Sequence, residues 1–128
     1  MLSDDIENFN VNLDERPTVF ICNQSGHDFS PSAKYGNPVY VTKGLINRFS
    51  VNYMARHWAI ALKDSKPRDY ILITSLTILT CVGCAIYGYL HGSLNLLLYR
   101  NSKYISRRVC FKSLFQAIEN KESSDDEQ

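Results

Sequence analysis

The chain has 128 residues, with 14 Lys or Arg against 13 Asp or Glu and four cysteines. That length fits one domain that buries about two-thirds of its unfolded surface, so neither disulfide staples nor a structural metal is needed to hold a core. The net charge of +1 hides a segregation: from Arg16 to Lys112 thirteen basic residues stand against Asp28, Asp64 and Asp69, a net +10, while five acids precede this body and five follow it. A body so basic favours anionic partners.

Residues 1–16 are polar and acidic and read as an arm, followed by Pro17. Met1-Leu-Ser-Asp-Asp5 offers neither a basic nor an apolar leader region, so no secretory signal is expected, and reduced thiols in a cytoplasm are. Thr18-Val-Phe-Ile-Cys22 is apolar on both faces, the pattern of a strand covered on both sides in a parallel sheet. A long Ser, Gly and Pro-rich loop follows from Asn23 to Gly36, with a helical turn begun by Ser30-Pro31. Val39 to Thr42 reads as a second strand, ended by Lys43-Gly44.

Ser50 is placed to cap a helix that runs to about Lys63. Val51, Met54, Ala55, Trp58, Ala59 and Leu62 follow the spacing of one buried helical face. Lys63-Asp-Ser-Lys-Pro-Arg-Asp69 breaks that helix. From Tyr70 to Tyr99 there are then thirty residues without an Asp, Glu, Lys or Arg. A membrane span needs about 20 apolar residues, so Ile71 to Leu90 could form one.

The interior of the run argues for a protein core instead. Ser75 and His91-Gly92-Ser93 divide it into a strand, Tyr70 to Thr74, a helix, Leu76 to Tyr89, and a strand, Leu94 to Tyr99. His91 and Asn95 would be costly in or near lipid, and the flanking charges give no asymmetry to orient a span. The helix is apolar nearly all round and should lie between the sheet and another layer or a second subunit. Asn101 to Lys103 reads as a turn, Tyr104 to Cys110 as a last strand, and Phe111 to Ile118 as a short helix. An acidic tail, 119–128, should be disordered. The expected fold is α/β: one domain over 17–118, a two- or three-layer Rossmann-like sheet of four to five mostly parallel strands.

In such sheets ligands bind beyond the carboxyl ends of the strands. That rule selects Asn23, Ser25, Gly26, His27 and Asp28 after the first strand, and Lys43, Gly44, Asn47 and Arg48 after the second. Ser75 and Thr77 follow the third strand, and Arg100 and Asn101 the fourth. Hydroxyl, amide and guanidinium groups beside a helix N-terminus suit a phosphate or nucleotide. Ser25-Gly-His-Asp28 invites comparison with a catalytic triad, but neighbouring residues rarely converge as one, and Asp28 is equally suited to cap the turn at Phe29-Ser30-Pro31. No phosphate-binding glycine motif, zinc framework or paired carboxylates accompany it, which argues against an enzyme and against a bound cofactor or metal. Cys81-Val-Gly-Cys84 has redox spacing, yet its place inside an apolar helix favours packing.

Arg100, Lys103, Arg107 and Arg108, interleaved with Tyr99 and Tyr104, could contact a nucleic-acid backbone or protect an edge strand from pairing with other chains. The ordered motifs Asn23 to Gly36, Val39 to Gly44 and Asp69 to Ser75 resemble small proteins of unassigned activity encoded by tailed bacteriophages. The resemblance covers residues 17–100 and implies a protein of the host cytoplasm. The function expected is non-enzymatic binding of an anionic, nucleotide-like molecule at the carboxyl edge of the sheet. The alternatives are a homo-oligomeric interaction protein built through the apolar helix and a single-span membrane protein.

Overall fold

The computed structural model describes residues 15–126, and side chains as far as residue 122. Most of the acidic arm and the last two residues of the tail therefore lie outside the described residues. The elements are β1 (Thr18–Gln24), a 3-10 turn (Ser30–Lys34), β2 (Asn37–Lys43), α1 (Val51–Leu62), β3 (Tyr70–Leu72), α2 (Thr77–His91), β4 (Ser93–Arg100), β5 (Lys103–Cys110) and α3 (Phe111–Asp126). They form a five-stranded sheet in the order β2-β1-β3-β4-β5. The first four strands are mutually parallel and β5 is antiparallel to β4. This is the Rossmann-like α/β architecture that the apolar strands and the helical crossovers predict.

The period of two along each strand divides the core into two layers. Phe20, Cys22, Val41 and Ile71 face Met54, Trp58 and Leu62 of α1 and Leu79 and Tyr87 of α2. On the opposite face Val19, Ile21, Leu72, Leu97 and Tyr104 are covered by Phe29 and Tyr35 from the connection between β1 and β2. That connection moves outward across one face, and the β2-α1-β3 connection returns across the other. Changing face as direction reverses keeps both crossovers of the same hand.

Trp58 joins α1 to α2. It is fully buried, its indole N–H donates to Leu79 O at 2.8 Å, and its ring lies against Gly83. A side chain of this size contributes roughly 3–5 kcal/mol by the cost of truncating it. The stripe on α1 is narrower than its sequence pattern: Met54, Trp58 and Leu62 are buried, whereas Val51 and Ala59 are exposed. Ser50 sits at the helix start without a capping side-chain hydrogen bond. The reason is that α1 rests on the sheet through a single i, i+4, i+8 row and flanks α2 beside it.

The apolar run is divided as its punctuation suggests, with two shifts. The strand stops at Leu72, two residues short of Thr74, and the helix begins at Thr77. Gly92, with φ of 68°, ends the helix in the left-handed conformation, and its N–H donates to Gly88 O at 2.8 Å. That geometry is what glycine supplies after a helix. Among the described residues no helix is long and apolar enough to cross a membrane, and 71–90 comprises parts of a strand, a loop and a helix. Asn101 and Ser102, both with positive φ, make the two-residue hairpin between β4 and β5. The last helix does not end near Ile118; it continues to Asp126.

Opposite the carboxyl edge, a polar network fixes the loop that enters β3. The buried Asp69 carboxylate accepts the N–H groups of Thr18 and Lys66, at 2.9 and 2.8 Å. Its carbonyl accepts the Tyr87 hydroxyl at 2.8 Å and the Asn95 amide at 3.1 Å. Burial, followed by the nearby Asp69 charge, pushes the Tyr87 phenol up to about 12.

Two substitutions test this packing. Gly83→Ala gains up to about 1 kcal/mol of helix propensity, but its methyl group would overlap the Trp58 ring. Overpacking costs about 1–3 kcal/mol, so a net loss is expected in urea unfolding. Tyr87→Phe should cost about 1–2 kcal/mol at neutral pH through its lost hydrogen bonds. A phenol raised in the folded state stabilises fully below its unfolded pKa near 10 and loses this contribution as pH rises through about 12. The variant should therefore lose less melting temperature than the wild type over that window.

Candidate functional site

The carboxyl ends of β1 to β4 share one edge of the sheet, and β3 is its shortest strand. β1 pairs with β3 as far as Ile21 with Leu72, while β1 continues to Gln24 and β4 to Arg100. Above the end of β3 the sheet therefore has a gap between two longer strands. The loop leaving β1 turns to one face and the loop leaving β3 to the other, which makes this gap the switch point of the topology.

Two adjoining crevices occupy it. One, of about 220 Å³, is lined by Asn23, Ser25, His27, Phe29, Thr74, Ser75 and Leu76. The other, of about 360 Å³, shares His27, Phe29, Thr74 and Ser75 and adds Asp28, Ile73, Tyr99 and Tyr104. A third cavity, of about 320 Å³, lies across Leu76 and is bounded by Ile46, Arg48, Met54, Ser75, Thr77, Ile78 and Leu79. Ser75 borders all three.

The groups expected at this edge divide by their local hydrogen bonds. Asn23 is buried; its amide donates to Gly44 O at 2.8 Å and its carbonyl accepts Thr42 Oγ1 at 2.9 Å. It ties the end of β1 to the end of β2 and has little left for a ligand. Asp28 accepts the Ser30 N–H at 2.9 Å, and that bond holds its carboxyl below the usual range. This is the turn-capping alternative for Asp28, and it leaves an ionised carboxylate in the crevice wall. Asn47 accepts the Phe49 N–H at 3.0 Å and borders none of the three cavities.

The cationic side chains stand apart from the crevices. Arg48 borders the third cavity, with its guanidinium 5.2 Å from the centre of the Phe49 ring. Lys43 and Arg100 are exposed and border none of the three. The two switch-point crevices contain no Lys or Arg in their walls. The start of α2 adjoins the crevices at Ser75, and its first turn borders the third cavity. Leu76 occupies the cap position without a capping side chain, and the first intrahelical bond is Thr80 N to Leu76 O. The N–H groups of Thr77, Ile78 and Leu79 therefore have no partner within the helix.

Sequence reasoning passed over Phe29, Thr74 and Tyr99 as wall residues. Thr74 lies there because β3 stops early, and nothing in Tyr70-Ile-Leu-Ile-Thr74 marks that stop. Tyr99 is legible in retrospect from alternation: it shares a face with Tyr104, ring centres 5.4 Å apart, and both border the larger crevice.

Alternation also divides the basic stretch. Arg100, Lys103 and Arg107 lie on the helix-bearing face of the sheet, whereas Arg108 lies on the other and donates to Asn95 Oδ1 at 3.2 Å. They do not form one continuous stripe. β5 is an edge strand, which fits the protective role of such charges.

The cysteines behave as parts of the helical layer. Cys22 is buried, its Sγ 3.2 Å from Thr80 Oγ1. Burial, then the neighbouring Cys22 and Cys81, pushes the Cys84 thiol up to about 11. Cys81 is exposed, contrary to the expectation that it is buried, because it falls on the outer side of α2. The hydroxyl of Ser113 draws the Cys110 thiol below its ordinary value. Among the described residues no cluster of ligating side chains could hold a metal ion. Iodoacetamide at pH 8 should label Cys110 and Cys81 well before Cys84 and Cys22, read by mass spectrometry of the timed digest. Rapid labelling of Cys84 would contradict this assignment.

Comparison with known proteins returned no match: no family model, no curated protein and no solved structure matches the chain.

Proposed function

We infer that the protein binds an anionic, nucleotide-like small molecule in the crevices above the end of β3, without chemical turnover. The observation that carries this reading is the gap itself, where a short central strand ends between two longer ones at the switch point of the sheet. The larger crevice is within the range of small-molecule sites, about 300–1,000 Å³.

The wall chemistry supports an orientation for the guest. A planar ring fits beside His27, Phe29 and Tyr99, where aromatic faces offer stacking. The phosphate belongs at Ser75, which borders all three cavities and adjoins the free amides at the start of α2, rather than beside the Asp28 carboxylate, which would repel it. With no Lys or Arg in the walls, a monophosphate suits the site better than a triphosphate. The order of motifs over residues 17–100 supports a phage accessory protein as its setting.

Calorimetric titration with nucleoside mono-, di- and triphosphates tests the reading. Binding should be strongest for a monophosphate. Ser75→Asp should weaken it by at least tenfold through charge repulsion, and His27→Ala by several-fold, with melting temperature nearly unchanged for both exposed positions. Failure of every nucleotide to bind, or an affinity unmoved by Ser75→Asp, would overturn it.

A further inference from the structure

Helix α3 stands almost without support from its own chain. Phe111 rests on Gly88 at the end of α2, and every residue from Lys112 to Glu122 is exposed. Yet Phe111, Leu114, Phe115 and Ile118 follow the i, i+3, i+4, i+7 spacing of a buried face, and Glu119 and Glu122 continue it at i+8 and i+11. Isolated helices of this length are marginal in water, and most helices in proteins are stabilised by packing one such face.

The same chain carries a surface of matching pattern. On the helix-bearing face of β4 and β5, Leu94, Leu96, Leu98, Ile105 and Val109 are only half-buried. On the same face the exposed Arg107 stands opposite Leu96, and the hairpin end closes with the exposed Arg100 and Lys103. Along β4 the leucines lead to Arg100, and along β5 Val109 and Ile105 alternate with Arg107 and Lys103, so the face offers cations to the acids that follow the apolar residues of α3. The lengths agree as well: 16 helical residues span about 24 Å, and eight strand residues about 26 Å.

A chain cannot make this match with itself. β5 ends at Cys110 and α3 starts at Phe111, with no residue between them. Folding the helix back over its own sheet needs a reversing loop, commonly 2–6 residues in such units. The helix therefore leads away from the sheet, from the edge where Phe111 begins.

We propose that two copies of this chain pair by exchanging α3, each helix lying on the β4-β5 face of the other. A two-fold axis across the strands sets the two sheets edge to edge at the ends where α3 starts. The incoming helix then meets Leu94 and Val109 first, passes Arg107 beside Leu96, and reaches Arg100 and Lys103 last. Leu114, Phe115 and Ile118 cover the leucines, and Glu119 and Glu122 approach Arg107 and Lys103. The contact is isologous, so both helices are buried at once and the assembly closes as a dimer.

Sedimentation velocity of the full chain and of three variants tests this. The wild type should sediment as a dimer, and Phe115→Glu should raise its dissociation constant by at least 30-fold, the scale of a lost central anchor. One chain carrying Glu119→Lys with Glu122→Lys, and another carrying Lys103→Glu with Arg107→Glu, should each dimerise poorly alone. Mixed in equal amounts they should dimerise about as well as the wild type, since every cross-chain pair is again of opposite charge. Circular dichroism and melting of each variant establish that the sheet remains folded. A monomeric wild type overturns the exchange, as does a dimer that Phe115→Glu leaves intact or a mixture that pairs no better than its components.

Discussion

Asp69 is the constraint on which the rest of the sheet depends. β3 contributes three residues to the middle of a five-stranded sheet, too few to fix its own position by ladder hydrogen bonds. Its entry is held instead by one buried carboxylate that takes two backbone N–H groups, while the carbonyl of the same residue takes Tyr87 and Asn95. The first strand, the entering loop, α2 and β4 thus meet at one residue. A buried carboxylate without those donors would be strongly destabilising, so the network cannot be loosened at one member without cost to the others. The crevice at the far end follows from this anchoring. A strand held firmly at its entry can be short, and a short central strand leaves a gap between β1 and β4.

The helical layer obeys a different constraint. Trp58 is large enough to fill the space between α1 and α2 only because Gly83 presents no side chain to it. This explains why α2, apolar on nearly every side, is nonetheless buried only along Leu79, Thr80, Gly83 and Tyr87. Its other side carries Ile78, Cys81 and Tyr89 to the surface. Apolar content alone therefore overstates the burial of a helix that packs through one close seam.

Much of the architecture was legible because period and punctuation agree. Thr18 to Cys22 has no polar side in its apolar core, and such a strand must be covered on both faces; Phe20 and Cys22 meet the helices, and Val19 and Ile21 the connection to β2. Gly92 is needed where the chain turns from helix to strand at once, and its position in the sequence marks that turn. The site was less legible. Residue type at a strand end identifies Asn23 as a candidate, but only the geometry reveals that Thr42 and Gly44 occupy its amide. Arg48 and Arg100 have suitable charge, yet the distance between sheet edge and crevice wall is set by loop conformation, which composition does not encode. The end of β3 is where its pairing with β1 and β4 stops, a relation between distant segments that no local window contains.

The exchange of α3 would also settle the role of the basic strand. Lys103 and Arg107 share a face with the half-buried leucines, whereas the crevice aromatic Tyr99 lies on the opposite face. A helix arriving on the first face would neutralise those cations with Glu119 and Glu122 and leave the crevice open. The same side chains cannot at once pair with an acidic helix and follow a phosphate backbone. Since nucleic-acid affinity rests largely on the number of phosphates neutralised, losing these cations removes the greater part of that surface. Arg108 does not replace them, because it faces the other way and is engaged by Asn95. The division of charge between body and ends then has a physical sense. The acidic helix and the basic strand are complementary parts of one surface, separated on each chain by a junction too short to let them meet.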